Sequence, residues 1–350
     1  ASPYSYYGFG DKQFKGTNEI KSMGSLAVYS DSLHINTLNP ASYSKLLATT
    51  FSLGASYKSN HLQSNSIKEK NNSGTFDYLA IAFPAGKFGI AVGIMPYSFV
   101  GYNIQNSNIS NGMTEARQYI GEGGLNRTFL GLSYQINKNF SIGVDGGYIF
   151  GDTQSSLTKF VTNNGENVAL THGTRAIYKN NYSGFELKTG LNFEKVIDKN
   201  LKVYASGTYS PEMKFKNDQA TNLSTVVANE QAGLIEIDSK NTQNQNNNMV
   251  LPSSYSFGAG IGNDLKWFVG AEYTATKTSK FNASYNYDNG SYTDYSKIGI
   301  GGFITPKYNS LTTYFARMTY RAGFNYENTG LVINNEEIKG YNANVGLGLQ

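Results

Sequence analysis

The stretch FSIGVDGGYIF, residues 140–150, decides the fold class. Successive side chains of a β-strand point to opposite faces. Five large apolar side chains of this stretch fall on one face: Phe140, Ile142, Val144, Tyr148 and Phe150. The other face is small and polar and carries one charge, Asp145. A strand of a water-soluble β-sandwich could show the same two faces, so the stretch alone predicts only a half-buried strand.

About eleven further segments repeat this alternation, and most are near ten residues long. A tilted strand of that length crosses a membrane. Short turns alternate along the chain with long polar connections, at about residues 98–126, 151–181 and 213–250. Outer-membrane barrels keep this parity, with short periplasmic turns and long outer loops. The pattern therefore predicts an all-β fold: a transmembrane antiparallel β-barrel of about twelve visible strands over residues 47–350, multi-pass in the outer membrane of a Gram-negative bacterium.

Composition supports strands and excludes several classes of protein. The 350 residues include 38 Gly, 27 Tyr and 20 Phe but only 7 Pro, which favours strands over helices. Mean hydropathy is −0.40, and no apolar run reaches the length of a membrane helix. The absence of cysteine excludes disulfides and thiolate metal sites. A dispersed net charge of +4 gives no reason to expect nucleic acid as a partner.

Residues 1–46 do not alternate like the rest of the chain. They combine aromatic, glycine, short apolar and polar residues with an Asn-Pro breaker, a mixture typical of turns and short helices. The segment is too small for a free-standing domain. We expect it to be an N-terminal plug, or hatch, for the barrel.

The segment MGSLAVYSDSLHINTLNPASYSKLLATTFSLGASY, residues 23–57, resembles the entrance of the FadL family of outer-membrane transporters of hydrophobic compounds. The hatch motif is Asn39, Pro40 and Ala41, just before the first strand. The stretches TYRAGFNYE, residues 319–327, and GLGL, residues 346–349, resemble late strands of that family. The resemblance implies fourteen strands in full and fatty acid-like substrates that leave sideways through a kink in the third strand. About twelve strands are readable. They could close as they stand, because the count is even, or one more hairpin lies beyond Gln350, as the resemblance implies.

Two groups of residues are candidates for binding the hydrophobic ligand. The first is the aromatic N-terminus, which either lines a pocket or packs the plug against the wall: Tyr4, Tyr6, Tyr7 and Phe9. The second is Arg317 and Arg321, placed on the inner face of one strand. The arginines either anchor a carboxylate or join Asp145, Glu186 and Glu194 in ion pairs that hold the plug, because buried charges must pair.

Gly93 and Pro96 are the candidates for a kink in the third strand. Proline removes one hydrogen bond from the ladder between strands, so a strand bends, bulges or ends there. The alternative is that Pro96 simply ends the strand at the outer rim.

Catalysis is not expected. The three histidines, His34, His61 and His172, fall in the plug and in predicted loops, and no nucleophile motif, phosphate loop or metal-ligand spacing accompanies them. No cofactor is expected.

Two functions remain open from the sequence. The first is diffusion of a hydrophobic small molecule through the plugged lumen and a lateral opening, with membrane lipid and the ligand as partners. The second is a non-transporting barrel subunit of an outer-membrane assembly or secretion complex. The long outer loops would then bind other outer-membrane proteins.

Overall fold

The computed structural model describes residues 2–63, 68–110, 112–163, 172–198, 201–229, 233–264, 266–281 and 290–349. The strands in this part of the chain are β1 (Asp11–Lys12), β2 (Thr50–Gln63), β3 (Lys68–Ala85), β4 (Phe88–Ser110), β5 (Met113–Gln135), β6 (Phe140–Asn163), β7 (His172–Asp198), β8 (Leu201–Ser210), β9 (Met213–Asn229), β10 (Gly233–Leu251), β11 (Ser254–Asn263), β12 (Trp267–Thr276), β13 (Gly290–Tyr292), β14 (Tyr295–Ile304), β15 (Thr319–Ile333) and β16 (Glu336–Gly348). Two short α-helices, α1 (Asn18–Ser22) and α2 (Tyr314–Arg317), accompany them. No helix among the described residues is long and apolar enough to cross a membrane.

The strands form one curled antiparallel sheet. Sequence neighbours pair around it, from β2 through β7 and on to β16. β8 and β9 both pair with β7, one after the other, so they act as a single strand interrupted at Pro211. β10 and β11 likewise continue each other across Pro252. Counted this way, the described wall has twelve strands, and the prediction of an antiparallel transmembrane barrel is confirmed.

A band of large apolar side chains faces outward around the lower part of the wall. The exposed members are Phe51, Leu53 and Tyr57 on β2, Phe83 on β3, Phe88 and Val92 on β4, Leu130 and Leu132 on β5, Phe140, Ile142, Val144 and Tyr148 on β6, Phe185, Leu187 and Leu191 on β7, Phe257 and Ile261 on β11, Val269 and Tyr273 on β12, Ile298, Ile300 and Ile304 on β14, Phe324 on β15, and Tyr341, Val345 and Leu347 on β16. The apolar face of residues 140–150 belongs to this band, which is the lipid-facing surface of a barrel.

The predicted long polar loops are wrong, because most of their residues are paired strands. β4 and β5 stay in register up to Ser110 and Met113, and β6 and β7 stay paired up to Phe160 and Gly173. At about 3.3 Å per residue and a tilt near 45°, the 24 residues of β6 rise about 55 Å, roughly twice the height of an apolar band. Above the membrane both faces of a strand meet water, so the apolar stripe disappears although the hydrogen-bond ladder continues.

We call this projecting part the outer sheet. It consists of six neighbouring strand segments: residues 99–110, 113–124, 151–163, 172–184, 213–229 and 233–251. Backbone irregularities mark its base. Pro211 and Pro252 interrupt strands there, β4 shifts register between Pro96 and Ser98, and Gly123 has a φ of 112°. Proline cannot donate a ladder bond, and a positive φ favours glycine, so the sequence itself positions this boundary.

The N-terminal residues contact the inner face of the wall, and glycines allow the close approach. A Cβ added at Gly143 would lie 2.4 Å from the carbonyl carbon of Pro40, and one added at Gly323 would lie 2.0 Å from the amide nitrogen of Gly24. No side chain can occupy such positions without moving backbone. The small inward face of residues 140–150 therefore leaves space for the N-terminal segment, the predicted plug.

A side chain at Gly143 should destabilise the folded protein. We expect Gly143→Val to lower the free energy of unfolding by about 1–3 kcal/mol, because the valine would push against Pro40. The measurement is urea unfolding of the reconstituted protein. Gly146→Val is the matched control, since the nearest atom to an added Cβ there is the Leu130 carbonyl oxygen at 4.0 Å. Equal losses in the two variants would contradict the role assigned to Gly143.

Candidate functional site

Phe9 belongs to a cluster of inward apolar side chains at the base of the outer sheet, which we call the Phe9 cluster. Its other members are Tyr97, Leu125, Ile149, Tyr182, Phe215, Met249 and Leu251, with Met213 and Phe281 packed against it. The Phe9 ring meets those of Tyr182, Phe215 and Phe281 edge-on, with centroids 5.6, 5.3 and 4.7 Å away. These contacts correspond to the packing alternative for Phe9.

The tyrosines before Phe9 extend into the outer sheet. Tyr6 makes edge contacts with Tyr102 and Tyr119 at 5.3 and 5.6 Å. Tyr7 stacks edge-on against Tyr6 at 5.1 Å, and Tyr4 is largely exposed. The N-terminus therefore occupies the lumen at the level where the barrel meets the outer sheet.

A buried charge cluster lies below the Phe9 cluster. Arg127 Nη2 is 2.5 Å from Asp145 Oδ1, and Arg127 Nε is 2.8 Å from Glu186 Oε2. Lys15 of the plug completes the cluster, with its Nζ 2.9 Å from Glu186 Oε1. Asp145 and Glu186 do form inward ion pairs, but their shared cation is Arg127, which the sequence analysis missed, and not Arg317 or Arg321. Arg127 lies on the same face of β5 as Phe129 and Gly131, because side chains alternate along a strand. This alternation in the sequence could have predicted that Arg127 points inward.

Burial affects the plug lysine of this cluster. It lowers the pKa of Lys15 below its ordinary value, although the Glu186 carboxylate acts in the opposite direction. Lys15 Nζ also lies 4.3 Å from the centroid of the Tyr97 aromatic ring. This contact joins the charge cluster to the Phe9 cluster above it.

The hatch motif closes the lower lumen through backbone contacts. Asn39 accepts a hydrogen bond from the Ala41 amide at 3.1 Å and donates one to the Leu191 carbonyl at 3.2 Å. Pro40 begins a 3₁₀ helix, Pro40–Lys45, where its missing donor is tolerated. Ala41 is fully buried. The motif thus caps a turn and links it to β7.

Charged wall residues fasten the rest of the plug. Lys45 Nζ lies 3.5 Å from Glu194 Oε2, so Glu194 is paired with a lysine of the N-terminal segment rather than with the predicted Arg317 or Arg321. Glu272 accepts from the Ala27 amide at 2.6 Å, and Lys297 donates to the Ser25 carbonyl at 3.2 Å. The plug is therefore held by polar contacts to several strands around the wall.

The wall separates between β3 and β4. These strands pair only from Leu79 and Ile94 down to Ala85 and Phe88. Above Ile94, β1 pairs with β4 instead, through Lys12 and Ser98. The N-terminal segment therefore occupies the position that β3 leaves.

Pro96 lies at this separation. β4 continues to Ser110, so the alternative that Pro96 ends the strand is wrong. A register shift lies between Pro96 and Ser98, whereas Gly93 is regularly paired with Ala80. The role of Gly93 and Pro96 as a hinge stays a prediction.

A cleft of about 330 Å³, open solvent included, lies at the separation. It is lined by Gln13, Phe14, Gly16, Asn18, Lys21, Lys58, Phe76, Asp77 and Pro96. Lys58 Nζ donates to Gln13 Oε1 at 2.5 Å across it. Polar groups therefore dominate this part of the wall.

A second cleft, about 570 Å³ with open solvent included, lies at the turn end of the lumen and is lined in part by Arg321 and His34. Burial would lower the pKa of His34, but the hydrogen bond and charge of Asp31, 2.6 Å away, outweigh it and raise the pKa. Arg317 does not share a strand with Arg321, contrary to the prediction. It ends α2, 5.4 Å from the Tyr314 ring, because the β14–β15 connection folds into a helical turn.

Removing Arg127 should strongly destabilise the protein. Arg127→Met would leave the Asp145 and Glu186 carboxylates buried without their shared cation, and we expect a loss of about 3–5 kcal/mol in the free energy of unfolding. The control is Arg117→Met in the outer sheet, where the pair with Glu115 is exposed to solvent and its loss should change stability little. Urea unfolding measures the loss of stability in both variants. Similar losses would show that the buried Arg127 ion pairs matter no more for stability than an exposed pair.

Solved structures share this fold at low sequence identity. The Pseudomonas putida toluene transporter TodX is 14% identical, with a TM-score of 0.53 over 90% of this chain and 84% of that chain. A Pseudomonas aeruginosa FadL homologue is 13% identical, with a TM-score of 0.56 over 98% and 87%. A TodX deltaS2S3 mutant, titled a monoaromatic hydrocarbon channel, is 15% identical, with a TM-score of 0.59 over 91% and 84%. The fold is thus FadL-like, as the resemblance implied.

Sequence comparison gives a family name that differs from the names of these solved structures. No curated protein matches the chain. The family model described as BamG matches residues 1–350. The chain belongs to the BamG family.

Proposed function

We propose that this protein is an outer-membrane barrel of a Gram-negative bacterium through which a hydrophobic small molecule diffuses. Residues 1–46 act as its hatch and residues 47–350 as its barrel. The separation of β3 from β4 above Ile94 carries the proposal, since it interrupts the wall at the upper edge of the apolar band. Proteins with the same fold are titled transporters of toluene, which supports a small apolar cargo.

The proposed path has two constrictions. The first is the Phe9 cluster, where a cargo arriving from the outer sheet must displace an aromatic side chain. The second is the cleft at the separation, where Lys58 and Gln13 form a hydrogen bond. Movement of the N-terminal segment would open both, because Phe9 and Gln13 flank β1. Gly93 and Pro96 would act as the hinge, and Tyr4, Tyr6 and Tyr7 would line the entrance.

Locking β1 to β4 should block transport. Lys12 and Ser98 are register partners, so Lys12→Cys with Ser98→Cys can form a cross-strand disulfide in a chain that has no cysteine of its own. We expect oxidation to abolish uptake of radiolabelled toluene by cells carrying the protein, and reduction to restore it.

The matched control joins two strands where they already pair. Leu79→Cys with Ile94→Cys lies at the last β3–β4 register pair below the separation, so its disulfide should leave uptake unchanged. If the oxidised Lys12–Ser98 pair transports as well as the reduced one, movement of β1 is not required and the proposed path is wrong.

A second candidate is a non-transporting subunit of an outer-membrane assembly, and the outer sheet favours it. Six strands project beyond the apolar band, and a diffusion path for a small molecule does not need such a surface. The polar lining at Lys58 and Asp77 is also poorly suited to an apolar cargo. In this candidate function the outer sheet, rather than flexible loops, would bind the partner proteins.

Purification in mild detergent separates the two candidates. A subunit should copurify with stoichiometric partners, and replacing residues 220–245 by a short turn should release partners bound at the outer sheet. That change removes only the upper β9–β10 hairpin, so the barrel should still fold, as heat-resistant migration in gels would verify. Recovery of the protein alone, with full uptake of toluene, would exclude the subunit function.

A further inference from the structure

Two charged residues of opposite sign, Glu19 and Arg321, line the cleft at the turn end of the lumen. Both are partly exposed to solvent, and no ion pair joins them among the described residues. One buried atom of each, Arg321 Nε and Glu19 Oε2, has no hydrogen-bond partner among the described residues. A buried polar atom without a partner is unfavourable, so a cleft that carries both charges is suited to a ligand with complementary charges.

The other charged pair of the cleft is already satisfied. His34 Nδ1 lies 2.6 Å from Asp31 Oδ2, and Asp31 also accepts hydrogen bonds from the amides of Leu33 and His34. Asp31 and His34 therefore have little remaining capacity for a ligand. The free donor and the free acceptor are Arg321 and Glu19.

The remainder of the lining is largely apolar. Ile20, Met23, Tyr29 and Phe303 contribute hydrophobic surface to the same cleft. Such a combination, apolar walls with a few placed polar groups, is typical of small-molecule sites. Arg321 would bind a carboxylate or phosphate, Glu19 would accept from an ammonium group, and the apolar body would contact the walls.

We propose that this cleft binds a zwitterion with an apolar body. The chemistry fits two sources: a phosphoethanolamine lipid headgroup, or a free apolar amino acid or dipeptide. A hydrocarbon would leave both charges unpaired, and a fatty acid would leave Glu19 unpaired. Helix α1 contributes to both clefts, with Glu19 in this one and Asn18 and Lys21 in the one at the β3–β4 separation. The inference does not depend on the proposed path, because it uses none of the residues at the separation.

Matched ligands test the proposal on amphipol-solubilised protein by isothermal titration calorimetry. The zwitterionic probes are leucyl-leucine and a twelve-carbon lysophosphatidylethanolamine. N-acetyl-leucyl-leucine lacks the ammonium group, and leucyl-leucine amide lacks the carboxylate. We expect at least one zwitterion to bind. For a binding dipeptide, each blocked form should be weaker by about tenfold or more, as for loss of a hydrogen bond between charged groups.

Two variants assign each charge to its residue. Glu19→Gln should weaken leucyl-leucine but not its acetylated form, and Arg321→Gln should weaken leucyl-leucine but not its amide. For the lysolipid, both variants should weaken binding relative to the wild type. Arg117→Gln, in the outer sheet, is the control and should change nothing. Fluorescence of the only tryptophan, Trp267, verifies that each variant is folded.

The pattern of binding decides the outcome. Binding of the lysolipid alone identifies a lipid headgroup, and binding of the dipeptide alone identifies a free molecule. If neither zwitterion binds at millimolar concentration, or if the variants weaken all dipeptide forms equally, the cleft is not a zwitterion site.

Discussion

The buried ion pairs around Arg127 connect three neighbouring strands of the wall with one another and with the N-terminal plug. Arg127 on β5 holds Asp145 on β6 and Glu186 on β7, and Glu186 in turn holds Lys15 of the plug. Charges removed from water are tolerated only when they are paired with good geometry. Three adjacent strands and the plug must therefore be correctly placed together, which makes this cluster a determinant of register as well as of closure.

The second constraint is space. The inner face of the wall is bare at positions such as Gly143 and Gly323, so the plug backbone approaches the wall directly. Apolar clusters then fill the remaining lumen on opposite sides, around Tyr43 and around Leu26. A plug packed this closely leaves the N-terminal segment at the β3–β4 separation as the element whose movement would matter most for passage.

The architecture serves two kinds of function, and different parts of the molecule favour each. The interrupted wall is the feature on which the proposed passage of a small apolar molecule depends. The tall outer sheet and the polar groups at the separation favour a role in an assembly. The cleft at the turn end of the lumen is a third feature, since the charges of Glu19 and Arg321 that line it suit neither a hydrocarbon nor a protein bound to the outer sheet.

The sequence by itself determined the class of fold, because alternation in residues 140–150 and in similar segments is a local property of each strand. It also predicted inward charges that need partners, such as Asp145 and Glu186. It did not reveal that the polar segments above the membrane are strands, since water on both faces removes the apolar stripe. Only the tertiary structure identified Arg127 as the central cation, β1 as the neighbour of β4, and the separation of Arg317 from Arg321, because these depend on contacts between residues far apart in the chain.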